Sequence, residues 1–161
     1  MRKILFFQWN AFMQKGIERA FTYLGMEYDT FYYIFKDWDK DDDFKEKLKK
    51  KLQSGKEEYE YVFSVNFSPL ISEVCNDLHV KYVSWVYDCP LHIRNKEPMK
   101  YSCNTIFFFD RIEAENYRNK GVNAYHLPLA GDTVAFTEKY KYVDMNMICL
   151  LYTSDAADDL L

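Results

Sequence analysis

The chain has 161 residues, 48% hydrophobic and 29% charged, which is a globular composition with length enough for one sizeable core. A net charge of −4 and a pI near 5.4 leave no basic field to attract nucleic acid. No apolar run reaches membrane-spanning length, and "MRKILFFQWNAF" is too short in apolar residues to be a signal peptide.

"KILFFQ" (Lys3 to Gln8) is a short apolar run, read as a buried strand. Met13, Ile17, Ala20, Phe21 and Leu24 then recur at helical spacing, and Gly25 supplies a stop. "YDTFYYIF" (Tyr28 to Phe35) is aromatic and β-prone, so a second strand is expected. In "KDWDKDDDFKEKLKKKLQSG", Asp43 and Glu46 fit a capping box. Acids open that helix and lysines close it, as the helix dipole favours. Phe44, Leu48 and Leu52 are its apolar stripe, and Gly55 ends it. "YEYVFSV" (Tyr59 to Val65) is the third strand. Pro69 opens a helix with Leu70, Ile71, Val74, Cys75 and Leu78 facing inward. "KYVSWVY" (Lys81 to Tyr87) and "TIFFF" (Thr105 to Phe109) are the fourth and fifth strands. Asp110 caps a helix that runs through Lys120, with Gly121 as its stop, and "AYHLPL" (Ala124 to Leu129) is a short sixth strand.

Strand and helix alternate, and the strands are apolar on both faces. That pattern predicts an α/β fold: a Rossmann-like, doubly wound, mostly parallel sheet of about six strands. Ligands of such sheets sit beyond the carboxyl ends of the strands. The polar residues there are Asn10, Asn66, Ser68, Asp88 and Asp110, with His92 and Arg94 in the loop after the fourth strand.

Each has a bland and a chemical reading. Asn10 ties its own loop or donates to a ligand hydroxyl. The loop it occupies, "QWNAFMQKG", carries neither glycine-rich phosphate-binding motif. Ser68 before Pro69 is a helix cap, at a helix N-terminus that can also meet a ligand. Asp88 binds turn amides, or serves as a base or sugar-hydroxyl partner. His92 is a loop hydrogen-bonder or a base, and Arg94 suits a phosphate. Cys89 has no activating base fixed by spacing, so nucleophilic thiol chemistry is not expected. The alternating acids from Asp37 to Asp43 mimic a calcium loop. Asp42 and Leu48 stand where such a loop needs Gly and Glu, so a solvated helix start is expected instead. Cys75, Cys89 and Cys103 form no C-x-x-C pair, which argues against zinc and for a reducing, cytoplasmic setting.

"ILFFQWNAFMQKGIERAF", "VFSVNFSPLISEVC", "KYVSWVYDCPLHIRN", "FFFDRIEAENYRNKGV" and "YHLPLAGDT" together resemble the N-terminal domain of CgeB-like, spore-maturation-type bacterial glycosyltransferases. Trp85, Asp88 and Pro90 form the most telling piece, a W-x-x-D-x-P pattern. The resemblance implies residues 1–132 as the acceptor-side half of a two-domain GT-B enzyme. It implies residues 133–148 as a linker and the start of a donor domain. It further implies a sugar or glycan acceptor as partner, and no metal and no cofactor in this half. The nucleotide-sugar donor would be held by the other domain. By strand-end position, Asp88 is the first candidate base or acceptor holder and His92 the second. Asn10, Asn66, Ser68, Arg94 and Asp110 would line the cleft. The competing expectation is a non-catalytic Rossmann-like binding or regulatory module. A phosphoreceiver is disfavoured, because the first strand ends in Gln8, Trp9 and Asn10 and the third in Val65 and Asn66.

The last residues, "CLLYTSDAADDLL" (149–161), resemble an in-frame translation of a transposase adapter used in sequencing libraries. Setting aside Asp155, Asp158 and Asp159 lowers the 25 acids to 22 against 21 bases, so the net charge becomes −1. The chain is then expected to be a piece of a longer enzyme, inactive alone and exposing an apolar, aromatic face.

Overall fold

The computed structural model describes residues 3–11, 13–54 and 59–131. Its elements follow the alternation expected: β1 (Lys3–Gln8), α1 (Gln14–Tyr23), β2 (Tyr28–Tyr32), α2 (Asp42–Gln53), β3 (Tyr59–Val65) and α3 (Pro69–Leu78). Then come β4 (Lys81–Val86), a 3-10 turn over Glu97–Lys100, β5 (Asn104–Phe108), α4 (Arg111–Arg118) and β6 (Ala124–His126). All strands are parallel, in the order β2-β1-β3-β4-β5-β6. The fold is α/β, a six-stranded doubly wound sheet of Rossmann-like type.

That order decides where the helices lie. The crossover from β1 to β2 moves one way across the sheet, and every later crossover moves the other way. With right-handed crossovers, α1 falls on one face and the later helices on the opposite face. The apolar clusters divide accordingly. Phe44 and Leu48 of α2, Leu70, Ile71 and Val74 of α3, and Ala114 and Tyr117 of α4 pack on Leu5, Phe7, Val62, Tyr82, Val86, Ile106 and Phe108. Ile17 and Phe21 of α1 pack on Ile4, Phe6 and Val65. Burying each such large side chain contributes about 1.5–3 kcal/mol before entropy is counted.

On the α1 side of the far half, Trp85, Phe107 and Tyr125 lie side by side in register across β4, β5 and β6. Tyr125 remains 47% exposed there, with the Arg118 guanidinium at the end of α4 lying 5.9 Å from its ring centroid. No helix of the described residues is long and apolar enough to cross a membrane.

Several local expectations shift. The second strand stops at Tyr32, because Tyr33 and Phe35 turn onto Phe44. Only Ile17 and Phe21 of the predicted α1 stripe are buried, and Leu24 is 65% exposed. Asp41, not Asp43, caps α2: its carboxylate accepts from Phe44 N at 3.1 Å. Asp41 is buried rather than solvated, and also accepts from Lys36 N and the Tyr33 hydroxyl. The helix stop read at Gly55, the linker 133–148 and the end 149–161 lie outside the described residues.

Candidate functional site

The strand order reverses between β1 and β3, and there the loops beyond the carboxyl ends part to leave room for a ligand. Trp9, just after β1, bridges this switch point: its indole N–H donates to Val65 O at the end of β3, at 3.0 Å. Trp38, from the β2–α2 loop, stands edge-on to Trp9 with centroids 4.7 Å apart, and packs on Phe35 at 4.6 Å. One wall of a cavity of about 560 Å³ is thereby built, formed by Lys36 to Asp39. The loop after β4 forms the opposite wall with His92, Ile93 and Arg94. The volume falls within the ~300–1,000 Å³ of small-molecule sites.

Asp39 fastens the two walls together. Its Oδ1 accepts from Arg94 N at 3.2 Å and Asn95 N at 3.4 Å, and its Oδ2 lies 3.4 Å from Arg94 Nε. Its own amide donates to Asp37 Oδ1 at 2.9 Å. Within the acidic run that reads as a solvated helix start, Asp42 and Asp43 are exposed in the first turn of α2, whereas Asp37, Asp39 and Asp41 each accept from a backbone amide. Composition marked these acids; the partner of Asp39, 55 residues along the chain, left no sequence signal.

The residues expected at the rim divide into three groups. His92 and Arg94 line the cavity, both exposed. Asn66 and Asp88 form a pair at the ends of β3 and β4. Asn66 Nδ2 donates to Asp88 Oδ2 at 2.7 Å, and Asn66 Oδ1 accepts from Tyr87 N at 2.8 Å. Asn66 holds a φ of 59°, a left-handed turn that asparagine tolerates better than most residues. Asp88 itself is exposed.

The remaining three stand apart. Asn10, with a φ of 69°, accepts from the Tyr32 hydroxyl at 3.2 Å beside the sheet edge. Ser68 is buried; its Oγ caps α3 through Ile71 N, and its amide donates to the Tyr82 hydroxyl at 3.0 Å. Asp110 caps α4 by accepting from Glu113 N at 2.6 Å.

Cys89 is exposed overall, yet its thiol is held back. Desolvation, then the bond and charge of Glu113, then the charge of Asp110, push it up to about 11. A thiol so protonated is a poor nucleophile near neutrality. Glu113 also accepts from Leu91 N at 3.1 Å, so it anchors the start of the loop that carries His92. Sequence spacing did not single out Trp38 or Glu113, and marked Asp39 only as one of the alternating acids; a tryptophan between those acids was the available signal.

Comparisons of the chain with protein-family models, with curated proteins and with solved structures found no match.

Proposed function

We propose that this chain is the acceptor-side domain of a glycosyltransferase, holding a saccharide whose hydroxyl attacks a nucleotide-activated sugar. The observation that carries the reading is the cavity beside the β1/β3 switch point. It joins an exposed tryptophan to carboxylate, imidazole and guanidinium groups. Saccharides call for that mixture, since a sugar ring has apolar C–H faces and hydroxyls that both donate and accept. The resemblance to CgeB-like glycosyltransferases supports the same reading, through stretches that include the His92–Arg94 wall and others outside the cavity.

In this reading His92 is the base, because it lines the cavity and has an exposed imidazole. It takes the acceptor proton as the oxygen bonds to the anomeric carbon, and the bond from that carbon to the nucleoside diphosphate breaks. Asp88 does not line the cavity and supports the loop through Asn66. The donor would be held by a second domain. A GT-B enzyme of bacterial, CgeB-like type acting in the cytoplasm is the fullest form of the proposal.

Saturation-transfer NMR on the purified chain tests it, with methyl glycosides and UDP- or GDP-sugars as ligands. Saturation is expected to reach sugar-ring protons but not base protons, with no release of nucleoside diphosphate. Saturation of base protons alone contradicts the acceptor-side reading, and sugar transfer by this chain alone contradicts the half-enzyme reading.

A further inference from the structure

Resting on that reading, we infer that the cavity is a subsite for one uncharged sugar ring, with Trp38 as stacking platform and Asp37 and His92 as hydroxyl partners. Three observations lead there. Trp38 is 40% exposed, yet its ring is fixed by Trp9 and Phe35, and Trp9 is fixed in turn by Val65 O. A platform held in place loses little freedom when a ligand stacks on it. Ile93 adds apolar surface from the other wall.

The charges around the cavity balance. Lys36 and Arg94 face Asp37 and Asp39, so neither a free anion nor a free cation finds a field of one sign. Asp39 is already committed through both oxygens to Arg94 and Asn95, and Arg94 Nε points back at it. One oxygen of Asp37 accepts from Asp39 N, while its other oxygen has no partner among the described residues. His92 adds a ring nitrogen donor and an acceptor. Donors and acceptors together, without net charge, fit hydroxyl groups better than a phosphate or carboxylate.

Because Asp39 already joins the walls, the subsite exists before any ligand arrives. Binding therefore needs no loop to fold.

Calorimetric titration tests the inference. The probes are methyl glycosides of glucose, galactose, mannose and N-acetylglucosamine, against glucuronate and a hexose phosphate. At least one neutral glycoside is expected to bind more tightly than either acidic probe. Trp38→Ala is expected to weaken it about tenfold, matching the upper range for aromatic contacts. Trp38→Phe keeps the packing on Trp9 and Phe35 and is expected to lose about threefold or less. His92→Ala, an exposed position, is expected to fold normally and to weaken binding severalfold. Tighter binding of an acidic probe than of every neutral glycoside overturns the uncharged ring and leaves the acceptor-side reading standing. Neutral binding that neither Trp38→Ala nor His92→Ala alters overturns the placement alone. Failure of every saccharide to bind overturns the acceptor-side reading and this inference with it.

Discussion

Asn66 Nδ2 donates to Asp88 Oδ2 at 2.7 Å, joining the carboxyl ends of β3 and β4. The same amide group accepts from Tyr87 N, so one side chain fixes the exit of β4 and hence the direction of the loop toward His92. Asn66→Ala leaves Tyr87 N–H without its partner and puts Ala at a φ of 59°. A loss of about 2–4 kcal/mol is expected. Asn66→Gly removes the bonds without the backbone strain and should cost less. Urea unfolding of both variants checks this; equal losses would show that the left-handed turn carries no strain.

A second tie lies under the β3–α3 junction. The fully buried Tyr82 hydroxyl shares a 2.6 Å bond with Ser64 Oγ and accepts from Ser68 N. Tyr82→Phe keeps the packing and strands Ser68 N–H, so about 1–3 kcal/mol should be lost. Saccharide affinity should not change, since Tyr82 does not line the cavity. Denaturant unfolding and a saccharide titration of this variant separate the two effects.

Asp41 links acid stability to the cap of α2. Burial alone would raise its carboxyl, but the amides of Lys36 and Phe44 and the Tyr33 hydroxyl outweigh it and leave it lowered. A group lowered in the folded state stabilises the fold above its unfolded value of about 3.9. That stability is lost as pH falls through the lower folded value. Asp41→Ala should therefore cost about 1–2 kcal/mol at neutral pH, the usual loss of a helix cap. It should also flatten the fall in stability below about pH 4. Thermal unfolding from pH 2 to 7 reads both.

Cys89 should react slowly with iodoacetamide at pH 8, because its thiol is held up to about 11 by desolvation, Glu113 and Asp110. Glu113→Gln removes a negative charge and should speed the reaction several-fold, while still accepting from Leu91 N. Mass spectrometry of the labelled peptide measures the rate. Fast labelling of the unaltered chain would contradict the arrangement around Glu113.

The alternation of elements was legible because period-2 and period-3.6 patterns survive in the sequence, and Ser68-Pro69 and Asp110 announced their helices by local chemistry alone. The cap of α2 was misplaced by two residues because three consecutive acids offer equivalent local choices. Asp41 is chosen by Tyr33 and Lys36, whose approach depends on the chain turning after β2. At the site, position at the end of β4 was legible for His92 and Arg94. The wall opposite them was not, because Asp39 meets Arg94 only after both loops are folded. Ser68 shows the converse: its place at a strand end was read correctly, but its burial and its bond to Tyr82 are tertiary.

A saccharide at the Trp38 cavity would be reported directly by the chain's three tryptophans. An indole ¹⁵N–¹H spectrum should show three signals, recorded with and without methyl glycosides. Saccharide is expected to shift the Trp38 signal, and that of Trp9, whose ring meets it edge-on. Trp85, bonded to Leu127 O on the other face of the sheet, should stay still. A shift confined to Trp85, or three signals unmoved at saturating saccharide, would contradict the account.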